Sequence, residues 1–312
     1  MLSVLSVTLP VFALIFAGWG VRRAGFLGPH AAGELNRFVI YLALPALLFE
    51  VVANANWQML WQPGFVAAFG LGVATVFVLA VTLQRLRGGT LADAVVGGLN
   101  AAYANTGFLG IPLLLAVLGR ESMIPALIAT IITVCILFAV AIVLIEIGLQ
   151  REEAQRRQML GKVALQLLRN PLLIAPVLGG LVLLLGVQLP PAVDTFFKLL
   201  GNAASPCALV ALGLFLAEGR THREKMIGAV VVLVALKLAV QPLITWWLAA
   251  KVFGLSALLV KSAVLLAALP TGTGPFMAAQ LYQREPALTS NVILVSTVIS
   301  LLTISCVLQM LA

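Results

Sequence analysis

Long apolar runs, each close to a membrane's thickness when helical, alternate with short polar loops along this whole chain. A helix that crosses lipid needs ~20 mostly apolar residues. On that template the pattern predicts ten spans, at roughly 4–22, 35–53, 64–84, 94–118, 124–148, 171–188, 194–217, 226–250, 258–282 and 288–311. The runs are continuous and do not alternate residue by residue, which excludes a transmembrane barrel. The predicted fold is an all-α membrane protein with ten transmembrane helices. The most polar stretch, Gln150 to Lys162, divides the spans five and five. Five is odd, so two related halves must have opposite orientations, and a 5+5 inverted repeat is expected. The expected organisation is a first five-helix repeat over 1–149, a cytoplasmic linker over 150–170 and a second repeat over 171–312.

Two of the ten spans are interrupted at their centres, and they hold matching positions in the two halves. The fourth carries Asn105-Thr106-Gly107-Phe108-Leu109-Gly110-Ile111-Pro112, and the ninth carries Pro270-Thr271-Gly272-Thr273-Gly274-Pro275. Pro112 has no N–H, and its ring meets the carbonyl of Phe108. Such a defect persists at mid-membrane where it is buried in protein or lines a wet cavity. A matched pair of broken spans points to a secondary transporter whose substrate sits at the break. Pro45 in the second span and Pro206 in the seventh form a further, weaker match between the halves.

Composition agrees. Of 312 residues, 62% are hydrophobic and 10% charged, against roughly 25% charged in soluble domains. The net charge of +8 would suit a nucleic-acid partner, but the charges sit in the short loops, so none is expected. With the amino terminus outside, the inside loops hold Arg22, Arg23, Arg37, Arg85, Arg87, Arg151, Arg156, Arg157, Lys162, Arg169, Arg220, Arg223, Lys225 and Arg284. The outside loops and helix ends hold Arg120, Lys198, Lys251 and Lys261. That bias follows the positive-inside rule and predicts both termini outside a cytoplasmic (inner) membrane. Arg22 and Arg23 follow the first apolar run, the reverse of a cleavable signal. Cys135, Cys207 and Cys306 are isolated and read as packed thiols, so no metal site or cofactor is expected. No hydrolase or metalloprotease motif occurs, so an enzyme is not expected.

The candidate chemistry lies at the breaks. The half-helices beginning near Pro112 and Pro275 should point their N-termini at the midplane, each with about +0.5 charge and unpaired N–H groups. Pro suits a first helical position, and two such ends facing one point suit an anion. Asn105, Thr106, Thr271 and Thr273 can bond freed backbone groups or a ligand. Gly107, Gly110, Gly272 and Gly274 permit close approach. Pro270, Pro112 and Pro275 frame the site.

Lys237 is the ionisable residue placed near a membrane centre, with Gln241 one turn away. A charge there costs at least ~2.5–3.5 kcal/mol on insertion scales, which marks it as functional. Three roles are open: attracting a substrate carboxylate, replacing a bound sodium ion by bonding carbonyls at the breaks, or a structural role. Glu50, Glu146 and Glu218 fall near helix ends, and His30 and His222 fall in loops, so the coupling ion stays open. Trp57 and Trp61 read as interfacial anchors, and Gly18-Trp19-Gly20 as a helix-packing motif.

The Asn105-to-Pro112 segment, Leu44-Pro45-Ala46-Leu47-Leu48-Phe49 and the Pro270-to-Pro275 run resemble the auxin efflux carrier family over essentially the whole chain. The resemblance implies a ten-helix inverted repeat related to bile-acid symporters and sodium/proton antiporters. It implies a scaffold domain of helices 1, 2, 6 and 7, a transport domain of helices 3–5 and 8–10, and a homodimer. Family members carry organic anions, auxins in plants and malate or malonate in bacteria, and the compact central loop resembles bacterial members. The related antiporters often pair a lysine on this helix with an Asp that this chain lacks. The expected function is a small organic-anion carrier embedded in a lipid bilayer. A sodium-coupled symporter of the bile-acid type is the alternative, and a channel a more distant one.

Overall fold

Twelve helical segments account for almost everything in the computed structural model, which describes residues 2–55, 61–152, 171–217 and 223–311. They are α1 (Leu2–Arg23), α2 (Ala31–Ala53), α3 (Pro63–Leu86), α4 (Leu91–Ala102), α5 (Ile111–Leu118), α6 (Arg120–Leu149), α7 (Pro171–Leu184), α8 (Pro191–Ala217), α9 (Met226–Val252), α10 (Ala257–Ala267), α11 (Gly274–Leu281) and α12 (Pro286–Leu311). No strand occurs among the described residues beyond one isolated bridge. Six helices, α2, α3, α6, α8, α9 and α12, are long and apolar enough to cross a membrane alone.

Each predicted span meets a helix within a few residues of its expected ends, with two refinements. The predicted fourth span is α4 and α5 separated by Tyr103 to Gly110, and the predicted ninth is α10 and α11 separated by Ala268 to Thr273. α7 has 14 residues, short of the ~20 that span lipid unaided. The predicted linker lies largely outside the described residues, as do Trp57, Glu218 and His222. Trp61 is exposed.

Glycine sets how closely four of these helices approach. A Cβ on Gly18 of α1 would lie 2.2 Å from the Val210 carbonyl oxygen of α8, and one on Gly213 of α8 would lie 2.0 Å from the Ile15 carbonyl oxygen of α1. Gly179 of α7 faces the Phe49 carbonyl oxygen of α2, and Gly201 of α8 faces the Leu47 backbone of α2. Small residues let membrane helices pack backbone to backbone, where lipid tails offer no hydrophobic incentive to associate. The packing role expected of Gly18 is met, whereas a Cβ added at Gly20 would meet nothing within 4 Å. α3 packs on α4, α4 on α6, and α9 on α3, α10 and α12.

Polar devices trim one end of this second group. Thr90 caps α4 by accepting from the Asp93 N–H at 3.2 Å, and Arg284 reaches Asp93 at 3.6 Å. Tyr282 donates to Glu146 at 2.7 Å. Glu285, in the turn before α12, has its carboxyl raised above the usual range by burial and by the nearby Asp93.

Candidate functional site

The two interrupted segments meet each other. Ala104 and Thr271 form an antiparallel bridge; the Asn105 N–H donates to the Pro270 carbonyl at 3.0 Å and the Gly272 N–H to the Tyr103 carbonyl at 3.0 Å. Four backbone groups that the breaks remove from helical bonding are thereby satisfied by the other segment, as a lipid-embedded chain requires. The Tyr103 ring lies against Gly272 and Gly274, where a Cβ would come within 2.9 Å and 2.6 Å of ring carbons. Any larger residue at either position would displace the ring.

The carbonyls left at the ends of α4 and α10 are capped by side chains. Thr271 Oγ1 donates to the Asn100 carbonyl at 2.8 Å. Gln241 Nε2 donates to the Ala102 carbonyl at 3.2 Å. Lys237 Nζ donates to the Ala267 carbonyl at 2.7 Å and to Gln241 Oε1 at 2.7 Å. Lys237 and Gln241 are both fully buried. A π turn, Leu236–Val240, carries Lys237, and Pro242 opens the α-helical stretch that follows. Asn100 donates to Thr289 of α12 at 3.0 Å, and Ser296 of α12 accepts from the Thr271 N–H at 3.1 Å.

In front of the bridge lies a cavity of about 330 Å³, large enough for a small ligand. Its walls come from both groups of helices. Tyr103, Ala104, Asn105, Thr106, Gly107, Thr273, Gly274 and Met277 lie on one side; Leu44, Leu47, Glu50, Asn202 and Ser205 lie on the other. Thr106 is fully buried, and its hydroxyl has no partner. An unpartnered buried hydroxyl costs about 1–3 kcal/mol, and this one belongs to a residue of the cavity wall. Leu109 and Gly110 both direct their N–H groups to the Asn105 carbonyl. The helical turn therefore begins at Thr106, as a π turn, several residues before the expected start at Pro112. α11 does begin where predicted, with Pro275 in its first turn.

Of the predicted site residues, Asn105, Thr106, Gly107, Thr273 and Gly274 line the cavity. Lys237 and Gln241, and Thr271 of the bridge itself, place donors on the carbonyls at the ends of α10 and α4, and Pro112, Pro270, Gly272 and Pro275 shape the backbone around the bridge. Glu50 was expected merely near a helix end, yet it lines the cavity. Its place one turn inside the end of α2, on the same helix as the Pro45 motif, was the available signal.

A second and more polar cleft, about 620 Å³, lies between the first half of α2 and the end of α11, with His30, Asn36, Arg37, Phe215, Gln280 and Gln283 in its walls. Phe215 of α8 meets Phe276 of α11 edge to face, centroids 5.4 Å apart. Phe215 is thus shared between that cleft and the aromatic contact beside Met277 of the cavity.

Apolar helices long enough to span a membrane, paired half-helices and a cavity between two helix groups are the features of a membrane transporter. The chain belongs to the membrane transport protein family (Mem_trans), whose pattern matches residues 3–308; auxin efflux carriers fall in the same family. It is 30% identical to a Rhizobium meliloti (strain 1021) protein named "Putative malonate transporter", over 98% of this chain and 95% of that one. It is 28% identical to the "Uncharacterized transporter YfdV" of Escherichia coli (strain K12), over 75% of this chain and 74% of that one. It is 24% identical to "Auxin efflux carrier component 8" of Arabidopsis thaliana, over 96% of this chain and 94% of that one.

Proposed function

We propose that this transporter is a carrier for a small organic anion, with a short dicarboxylate such as malonate the favoured substrate. One observation carries the reading: Thr106, whose buried hydroxyl has no partner, lines a cavity at the joint of two broken helices. Freed N–H groups and the partial positive charge of the π turn at Thr106 and of α11 favour a carboxylate there. The relative named for malonate supports the substrate class.

The twelve segments are read as ten spans in a 5+5 inverted repeat, with α4–α5 and α10–α11 as its crossing helices. α1, α2, α7 and α8, joined by glycine contacts, form a scaffold. α3 to α6 and α9 to α12 form a body that moves against it, by alternating access across the cytoplasmic membrane. Both termini lie outside, and the Glu50 cavity then opens outward while the His30 cleft opens inward. A homodimer through the scaffold is part of this reading. Asn105, Thr106, Gly107, Thr273 and Gly274 contact the substrate. Lys237 and Gln241 hold the joint, with Nζ bonding the carbonyl that a sodium ion would bond in a coupled symporter.

Current from proteoliposomes in sodium-free buffer on adding malonate tests the reading. A saturable current supports it; a current that requires sodium supports the symporter; and failure of malonate in both current and radiolabel counterflow removes the substrate assignment. Thr106→Val, which keeps the shape and removes the hydroxyl, should raise the half-saturating concentration about tenfold. That is the low end for a hydrogen bond to a charged group, ~1.5–3 kcal/mol. Unchanged affinity in both Thr106→Val and Asn105→Ala would place the site elsewhere.

A further inference from the structure

Resting on the anion-carrier reading, we propose that the cavity accepts its dicarboxylate as the singly protonated monoanion, with the substrate's carboxylic acid donating a hydrogen bond to Glu50.

The argument begins with charge. Among the described residues the cavity wall contains one carboxylate, Glu50, and no Lys, Arg or His. A dianion placed there would meet two helix ends of about +0.5 each and a full negative charge on the opposite wall. Two carboxylates close together cannot both stay ionised, and one proton is shared between them. The substrate can bring that proton. A carboxylic acid donating to a carboxylate forms a short, charge-assisted bond, while the other carboxylate turns to the Thr106 hydroxyl and the freed N–H groups. Glu50 then becomes an acceptor for the substrate instead of a repulsive wall.

The surroundings of Glu50 leave it available for this. It is half-buried, and its Oε1 accepts from the neutral Asn54 amide at 3.2 Å. The same amide donates to Asp194 of α8 at 2.9 Å. Lys198, the cation on that helix, is bound to Asp194 at 2.6 Å; it lies within electrostatic reach of Glu50 but makes no salt bridge to it. α7, which packs on α2, has no ionisable side chain along Pro171–Leu184. The π turn of α6 against α2 offers the Cys135 thiol and nothing charged. Among the described residues no salt bridge reaches Glu50. The bonded proton enters and leaves with the substrate, so each transport event moves one negative charge and one dissociable proton.

Radiolabelled malonate counterflow in proteoliposomes tests this, at equal pH on both sides and subsaturating malonate, stepped across the second pKa of malonate. Wild-type initial rates should track hydrogen malonate, falling about tenfold per pH unit above that pKa. Glu50→Gln offers an amide N–H that can bond a carboxylate directly, so its profile should flatten, whereas Glu50→Asp should keep the wild-type slope. Wild-type rates that follow total malonate overturn the proposal, and so does a Glu50→Gln slope equal to wild type. If Glu50→Gln fails to fold, the wild-type slope decides. Wild-type silence at every pH overturns the malonate-carrier reading itself, which separates its failure from that of the Glu50 assignment.

Discussion

Lys237→Ala should lower transport at least tenfold while leaving a protein that still inserts and purifies. The ammonium bonds the Ala267 carbonyl and Gln241 Oε1, and Gln241 in turn bonds the Ala102 carbonyl. One residue therefore ties the end of α10 to α9 and, through Gln241, to the end of α4. Its removal leaves two buried oxygens without donors, each costing about 1–3 kcal/mol. That sum is a sizeable part of a stability of ~5–15 kcal/mol and less than the whole. The joint loosens where the cavity needs it rigid, and a misplacement of about 1 Å at a site is worth ~100-fold in rate. Counterflow at least tenfold below wild type, with an unchanged elution profile, is the expected result. Normal uptake in this variant would remove Lys237 from the mechanism.

Gly213→Val should be the most damaging single change among the glycine-packed helices α1, α2, α7 and α8. A Cβ there would sit 2.0 Å from the Ile15 carbonyl oxygen, with the Trp19 nitrogen at 2.9 Å. Both are backbone atoms of α1, so no rotamer change relieves the clash and the helices must part. Overpacking of an interior costs about 1–3 kcal/mol, and occasionally more. A clash with helix backbone belongs at the upper end. The reciprocal contact of Gly18 with Val210 would be lost at the same time. Thermal unfolding in detergent, followed by fluorescence or elution profile, should show a clear loss of stability. Gly20→Ala, on the same helix with nothing within 4 Å, should behave as wild type.

The positions of the helices were legible because lipid imposes a length on apolar runs, and the interruptions were legible because Pro and Gly are conspicuous within them. The pairing of the interruptions was not. Nothing in Ala104 or Thr271 as residue types announces a bridge between positions so far apart in sequence. Polarity alone could not separate side chains that face the cavity from those that cap carbonyls. Thr106 and Thr271 look alike in sequence, yet one hydroxyl is unpartnered on the wall and the other is bonded to Asn100. Lys237 was conspicuous by its cost in lipid, and bonding to a carbonyl at the breaks was one of its open roles with Gln241 a turn away, but which carbonyl it meets was not legible, since every residue offers one. Glu50 was passed over because distance from a span's end says little when a cavity reaches down between helices.

The bridge between Ala104 and Thr271 is made wholly of main-chain atoms. The device that holds the two segments together is therefore encoded separately from the side chains that meet a substrate. Asn105, Thr106 and Thr273 can be exchanged one by one without breaking a bond of the joint, provided no proline replaces Asn105 or Gly272, whose N–H groups it uses. On the proposed reading, a chain built this way can drift from one anion to another through its wall residues while the joint stays the same. Wall positions are accordingly the ones to randomise when a new substrate is sought.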